Sequence, residues 1–349
     1  MGWLTKFLRG GDYCLPGLDI GSYSLKLVQL EKNKNRYKLK IKSEYVYEDQ
    51  IFAGTEIIDL FLLSSYIKEF FKSNEIKEKE VAIHVPLTSC FYSVISVPSS
   101  RNPEEAVMNY MQSIITPEEL AEVKIDYRVL PVSIDKNNTD IAVAAVKRDF
   151  LEERIGVITH AGLSPVVIDI EPAAINNQFY LNYPESTAYP VCLVDIGATF
   201  TKVVISFGGY PYLTRNVEYG GYSITEQLQK EFILGVEDAE ELKKGNSVKD
   251  VTYEEAFDRV IIKSIKKIVT EILWTIENFR DRFNLDVDKI YLYGGSSKLK
   301  GIVEVVKELT GKEVYKGAPF SLSGIEAGEE FGVAVGLSLR YKGDSNVKV

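Results

Sequence analysis

Two short segments set an acid beside a glycine turn between apolar runs. Leu18-Asp19-Ile20-Gly21-Ser22-Tyr23-Ser24-Leu25-Lys26-Leu27-Val28 aligns with Val194-Asp195-Ile196-Gly197-Ala198-Thr199-Phe200-Thr201-Lys202-Val203-Val204. Asp195 follows Asp19 by 176 positions in a chain of 349, so the sequence reads as two similar halves. A glycine turn presents backbone N–H groups to an anion, and Ser22, Ser24, Thr199 and Thr201 add uncharged hydroxyls. Carboxylates repel a bare phosphate, so Asp19 and Asp195 suit such a site only with a cation between them, for which Mg2+ holding water is the natural candidate. Two hairpins facing each other across a cleft would clamp a triphosphate from both sides. One Asp-Ile-Gly turn alone reads as an ordinary structural hairpin; its repetition half a chain later favours chemistry.

A third glycine element follows an apolar run: Tyr291-Leu292-Tyr293-Gly294-Gly295-Ser296-Ser297-Lys298-Leu299-Lys300-Gly301. Gly294 and Gly295 would let a flat ring or a ribose lie against the backbone. The same residues also satisfy a plain strand-to-helix turn with Ser296 as its N-cap.

The elements that must position these residues follow from periodicity. Strands are expected at 17–20, 25–30 and 37–47, a helix at 57–71 and a buried strand at 81–85. A strand at 91–97, a helix from Pro103 to 115, strands at 123–130 and 141–146, a helix at 148–160 and a strand at 166–170 then form a small α+β insertion. The second half opens with strands at 191–196, 202–207 and 212–217. A single long helix is expected over 253–283, where apolar residues recur every three or four positions. A strand at 289–293 and helices at 298–309 and 327–339 complete an α/β pattern.

Composition narrows the chemistry. There are 41 basic and 50 acidic residues, a net charge of −9, which argues against a nucleic-acid binder. Three scattered cysteines and two histidines exclude a disulfide framework and the usual zinc motifs, and the cysteines read as inert apolar residues. His84 and His160 have no partner in sequence and receive no role. No run approaches the roughly 20 apolar residues of a spanning helix, so a soluble, reduced-compartment protein is expected. The first eight residues do not read as a signal peptide; they suit either a mobile tail or one amphipathic turn resting on a membrane.

These motifs, in this order and spacing, resemble the actin-like ATPase superfamily of actin, Hsp70, MreB and FtsA. The hairpins match its two phosphate motifs and 293–301 its adenosine motif. Within that superfamily the chain is similar to the PilM family, FtsA-like proteins of type IV pilus assembly. The early 17–30 opening, Arg215 followed by Gly220-Gly221 and Ile224-Thr225, and the insertion carry this closer likeness.

The resemblance implies a duplicated, ribonuclease H-like α/β fold with a nucleotide cleft. Its divisions would be a core subdomain 1A (15–86 and 165–188, with a helix at 325–341 packing back on it), an inserted 1C-type α+β subdomain (87–164), 2A (189–218 and 285–324) and a helical 2B (219–284). It implies ATP and Mg2+ as cofactors. Asp19 and Asp195 would position the metal, while Gly21, Ser22, Gly197 and Thr199 line the phosphates, with Tyr23, Ser24, Lys26 and Ala198 in the same turns. Lys26 and Lys202 also read as strand lysines pointing to solvent. Glu171 matches an acid that orients attacking water, although an acid at a helix start needs no catalytic reason. Glu240 and Lys243 match nucleoside contacts, or form a plain i, i+3 surface pair. Gly294, Gly295 and Ser296 would meet adenosine, and Gly220 and Gly221 would approach the nucleotide.

ATP binding is expected ahead of efficient hydrolysis. The implied partner is the N-terminal cytoplasmic peptide of PilN, held in a groove between 1A and 1C; the pilus assembly ATPase is a further candidate, and membrane association would come through the partner. Two other readings stay open: a small-molecule kinase of the same superfamily, and an FtsA-like filament protein, to which the short polar end at 342–349 is ill suited.

Overall fold

The computed structural model describes residues 14–33, 36–324 and 327–341. The expectations for Met1–Arg9 and for 342–349 lie outside the described residues. The chain divides into two compact units, the first running to Gln178 and taking up Leu322–Gly324 and the chain from Val333 on, the second holding Phe179–Ser321 and Ile325–Gly332.

In the first unit β1 (Gly17–Ile20), β2 (Ser24–Asn33) and β3 (Arg36–Val46) form an antiparallel meander. The two-residue strands β4 (Phe52–Ala53) and β5 (Glu56–Ile57) precede α1 (Leu60–Ser73) and β6 (Glu80–Val85). Asp59 caps α1 by accepting the Leu62 N–H at 2.8 Å.

An excursion then builds a separate three-stranded antiparallel sheet, β7 (Cys90–Pro98), α2 (Pro103–Ile114), α3 (Pro117–Glu122), β8 (Val123–Val129) and β9 (Asn138–Lys147), ordered β7-β9-β8. Its core is local: Val107 and Met111 of α2 pack on Ile95, Ile141 and Val143. A capping box between Thr116 and Glu119 starts α3.

The chain returns through α4 (Arg148–His160) to β10 (Ser164–Ile170), which lies parallel to β6 in a sheet ordered β10-β6-β1-β2-β3. Val157 and Ile158 of α4 share one buried cluster with Leu63 and Ile67 of α1 and Leu18, Leu27 and Ile83 of the sheet. Within the segment 87–164 expected as an insertion, α4 therefore packs on the core sheet through Val157 and Ile158 and meets the inserted sheet through Phe150 and Leu151. Parallel neighbours need a crossover that covers the sheet, and α4 supplies it after the three-stranded sheet closes at Lys147.

α5 (Glu171–Asn182) carries the chain into the second unit. There β11 (Val191–Ile196), β12 (Thr201–Phe207) and β13 (Tyr210–Val217) repeat the meander. They are followed by α6 (Gly221–Phe232), α7 (Val236–Lys243), α8 (Tyr253–Ala256), a π-helical turn (Phe257–Ile261), α9 (Ile262–Phe283), β14 (Lys289–Tyr293), α10 (Ile302–Thr310) and β15 (Glu313–Lys316). The sheet order β13-β12-β11-β14-β15 reproduces that of the first unit strand for strand. Both sheets are antiparallel across the meander and parallel beyond it, so the repeat read from two hairpins extends to the topology.

Three expected helices are shorter or interrupted. The 253–283 run contains the π turn, the 298–309 helix starts only after Gly301 (φ 83°), and the last helix, α11, spans Gly332–Ser338 after a 3-10 turn at Glu329–Phe331. In α11, a Cβ on Gly336 would lie 1.8 Å from the Ala174 carbonyl oxygen, which explains a glycine there: α11 and α5 cross with backbones in contact. The helices α5, α6 and α7 complete the two units.

Candidate functional site

In the first unit the β1–β2 turn closes by Gly21 N–H to Ser24 O at 3.1 Å, and the Tyr47 hydroxyl donates to Gly21 O at 3.1 Å. The ladder sets Asp19 opposite Lys26, and Lys26 opposite Glu44. Asp19 is buried, with Oδ1 3.0 Å from His84 Nε2 on the adjacent β6. Ser24 is buried and donates to Glu44 Oε1 at 2.7 Å; the Lys26 ammonium donates to Ser24 Oγ at 2.9 Å and lies 3.8 Å from Glu44. The reading of Lys26 as a solvent-facing lysine is therefore corrected: its side chain is 13% exposed and bonded across the sheet to an acid on β3. Tyr23 stands out from the turn, and Ser22 is half-buried.

Glu171 opens α5, is 6% exposed, and accepts the Leu87 N–H at 3.0 Å. Its place at a helix start explains an acid electrostatically. That backbone contact also aims the carboxylate, on the strand end next to the one carrying His84.

In the second unit separately coded segments meet. Gly197 N–H bonds Phe200 O at 2.9 Å, closing the repeated turn. The Gly197 carbonyl accepts from Gly221 N–H at 2.9 Å and from Ser296 Oγ at 3.2 Å, while the Ala198 carbonyl accepts from Tyr222 N–H at 2.7 Å. Side chains are excluded where these segments touch: a Cβ would lie 2.6 Å from Ala198 O at Gly220, and 2.5 Å from Ser296 Oγ at Gly221. Gly294, at φ 84°, would set a Cβ 2.3 Å from Asp195 Oδ1. Ser296 does not cap a helix; it sits in the 3-10 turn Gly295–Lys298 with its hydroxyl given to Gly197. Gly295 would meet nothing within 4 Å, so its face is open.

Asp195 lies opposite Lys202, with Oδ2 and Nζ 3.7 Å apart. Lys202 is 16% exposed and does not point to solvent as its strand position suggested. Its ammonium would be 3.4 Å from a Cβ on Gly197, and that of Lys26 3.8 Å from one on Gly21, so each lysine overlies its own turn. Thr199 lies half-buried in the second of these turns.

Glu240 and Lys243 are an i, i+3 pair of α7, but not on an open surface. The Lys243 ammonium bonds Glu240 Oε1 at 2.6 Å, Thr225 Oγ1 at 2.8 Å and Gly221 O at 3.2 Å, and Thr225 also donates to Glu240. Burial pulls the Lys243 ammonium below its ordinary range, against the opposing field of Glu240. The first turn of α6 is thereby tied to α7.

Sequence reasoning missed His84, which holds Asp19, and Arg154, which is buried in α4. Both left a signal. His84 interrupts an apolar strand, and Arg154 lies three and four residues before the buried Val157 and Ile158, on the same helical face. Among the described residues no group of three or more His, Cys, Asp or Glu could hold a metal, and no helix is long and apolar enough to cross a membrane.

A family model described as type IV pilus assembly protein PilM matches residues 17–340. The chain belongs to this PilM family. A solved structure described as a PilM-PilN type IV pilus biogenesis complex matches at 25% identity and a TM-score of 0.79, covering 94% of this chain and 98% of that one. Two more distant structures share the actin-like fold with this PilM-family chain. Ethanolamine utilization protein EutJ from Carboxydothermus hydrogenoformans matches at 16% identity and TM-score 0.57, over 96% of this chain and 94% of its own. MreB5 of Spiroplasma citri, bound to AMPPNP, matches at 13% identity and 0.56, over 93% and 95%. Membership of a pilus-assembly family favours the scaffold reading over the kinase and filament readings.

Proposed function

We propose that this PilM-family chain is a nucleotide-binding scaffold of the type IV pilus assembly platform that engages PilN. The observation that carries the nucleotide part is the convergence on the Gly197 and Ala198 carbonyls of the repeated turn, Gly220-Gly221 and Ser296. The result is a backbone-walled cradle with Lys243 beneath it and an open face at Gly295. Such a surface takes a flat base and ribose against glycine backbone. Ala198 and Thr199, with Ser22 and Tyr23 of the other turn, would supply N–H and hydroxyl donors to phosphates, while Gly21 and Gly197, whose N–H groups close the turns, let the phosphates approach the backbone. The two lysines overlying the turns add positive charge, Lys202 more directly than Lys26, which is shared with Ser24 and Glu44.

Mg2+ suits the donor set. It binds through one or two carboxylates together with phosphate oxygens and water and needs no dedicated protein cage; Asp19 and Asp195 are the carboxylates that would hold it. When bound, it neutralises phosphate charge. The chain's own residues then have clear tasks: His84 keeps Asp19 oriented, and Leu87 keeps the Glu171 carboxylate aimed as a candidate orienter of water.

PilN is the named companion in the related complex. For this chain the engaged segment is proposed to be the N-terminal cytoplasmic peptide of PilN, lying between the first-unit core (1A) and the separate sheet of 90–147 (1C). Docking there would hold the protein in the cytoplasm at the inner membrane through its partner.

Isothermal titration with a synthetic PilN N-terminal peptide and with Mg-ATP tests both halves. The expected results are peptide binding at micromolar Kd or tighter, and Mg-ATP binding that Asp19→Ala and Asp195→Ala each weaken at least tenfold while circular dichroism stays unchanged. No peptide heat with or without nucleotide refutes the partner assignment; normal ATP affinity in both variants refutes the site.

A further inference from the structure

The outer strand of the first-unit sheet is basic. β3 ends the sheet order β10-β6-β1-β2-β3, and Lys38, Lys40 and Lys42 are exposed along it. Lys32 of β2 stands opposite Tyr37 near its start. Between 31 and 42 the sequence holds six basic residues and one acid, in a chain whose net charge is −9. Two acids temper the strand: Glu31 lies opposite Lys38 in the ladder, and Glu78 takes the Lys40 ammonium at 3.2 Å. Lysines on an outer strand also discourage other strands from pairing with it. That role requires no particular neighbour, whereas here a distinctive one lies alongside.

The N-terminal segment joins the structure at this strand. Leu15 N–H bonds Arg340 O at 3.3 Å, and the residue after Arg340, Tyr341, meets Tyr37 hydroxyl to hydroxyl at 2.8 Å. The Lys32 ammonium stands 5.4 Å from the Tyr341 ring centroid and 5.9 Å from that of Tyr37. Residues 1–13 therefore lead into the chain beside the basic strand. Their sequence sets Trp3, Leu4, Phe7 and Leu8 among Lys6 and Arg9, the mixture of apolar and basic side chains that suits a lipid headgroup layer. Thirteen residues span at most about 45 Å, ample for Trp3 to reach any surface that the lysines touch. An acidic protein would use the lysines and leave those apolar residues idle; an anionic membrane uses both.

We propose that the β3 edge and the N-terminal segment together form a direct contact for an anionic phospholipid surface. Lys38, Lys40 and Lys42 supply the attraction, and Trp3, Leu4, Phe7 and Leu8 the apolar insertion. Each lysine close to such a surface raises partitioning about fivefold, Lys40 less because Glu78 shares it. A short apolar segment alone binds lipid weakly, and a second, basic signal is what makes attachment stable. The contact needs neither nucleotide nor the PilN peptide, so its test and theirs fail separately.

The test cosediments the full chain, without peptide or nucleotide, with vesicles of equimolar phosphatidylglycerol and phosphatidylcholine and with vesicles of phosphatidylcholine alone. Salt is set at about 0.05 M and about 0.5 M, where the screening length falls severalfold. The wild type is expected to prefer the anionic vesicles at least tenfold at low salt and to lose that preference at high salt. The triple variant Lys38→Gln, Lys40→Gln, Lys42→Gln should bind anionic vesicles at least about twentyfold more weakly. The double variant Trp3→Ser, Phe7→Ser should bind them at least tenfold more weakly. Circular dichroism should be unchanged in both.

Wild-type binding to neither vesicle, equal binding to both, or undiminished anionic binding in either variant overturns the proposal. Retention on a polyglutamate resin without vesicle binding assigns the edge to an acidic protein and overturns it as well. If the triple variant aggregates, as loss of edge lysines can provoke, Lys42→Gln alone decides. Its expected loss is about threefold to fivefold, and wild-type binding there is equally fatal.

Discussion

Three glycine-to-alanine substitutions in the second unit separate what the cradle needs for folding from what it needs for ligand. Gly294 combines a left-handed backbone, φ 84°, with a Cβ position 2.3 Å from Asp195 Oδ1 and 2.4 Å from Ile196 O. Gly311 has φ 66° and nothing within 4 Å, and Gly295 has neither constraint. The left-handed conformation costs a non-glycine residue about 1–2 kcal/mol, and forcing atoms into a filled site adds about 1–3 kcal/mol. Gly294→Ala is therefore expected to destabilise the second unit by about 2–5 kcal/mol, Gly311→Ala by about 1–2 kcal/mol, and Gly295→Ala by less than about 0.5 kcal/mol. Urea unfolding followed by tryptophan fluorescence in a Trp3→Phe background reads this unit, because Trp274, stacked 3.8 Å from Arg215, is then the sole reporter. The Gly295 methyl would project into the open face, so that variant should bind ATP at least tenfold more weakly at unchanged stability. Equal unfolding midpoints for Gly294→Ala and Gly295→Ala, or full ATP affinity in Gly295→Ala, would refute the reasoning.

Two more outcomes follow from buried ionisable groups. Burial raises the Cys14 thiol to about 11 and the Cys90 thiol to about 12 from an ordinary 9.0, and pushes Cys192 higher still. All three should resist a thiol reagent at pH 7.5 in the native protein and react fully in urea. Since the folded state holds these protons more tightly, their contribution to stability is complete below pH 9 and drains away as pH climbs towards 11–12; thermal melts across that range should fall in temperature. Lys243→Met strands the Glu240 carboxylate and should cost about 1–3 kcal/mol, below the roughly 3–5 kcal/mol of a fully buried pair because both side chains keep some exposure. Adding Glu240→Gln should recover at least about 1 kcal/mol of that loss in a double-mutant cycle.

Most of the hairpin geometry was legible because it is local. The apolar strand, the acid, the glycine turn and the second strand lie within eleven residues, and a short turn sets the register that places Asp19 opposite Lys26 and Asp195 opposite Lys202. The excursion's strands and its α2 helix were equally readable, since Pro103 and the periodic Val107 and Met111 act within the segment. The packing of α4 was not. Whether α4 faces the inserted sheet or the core depends on α1, nearly 90 residues earlier, and an amphipathic helix does not specify which apolar surface it will cover.

The sequence by itself thus determined a duplicated α/β chain with two acid-bearing glycine turns and a third glycine element, because turn conformation and strand alternation are properties of neighbours. Tertiary structure alone decided where the charges go. Lys26 turns to Glu44 and Ser24, Lys243 descends to Gly221, Ser296 gives its hydroxyl to Gly197 99 residues away, and Arg154 is buried without an anion. A long charged side chain carries no local preference for direction; burial and the distant acceptors brought beside it choose one.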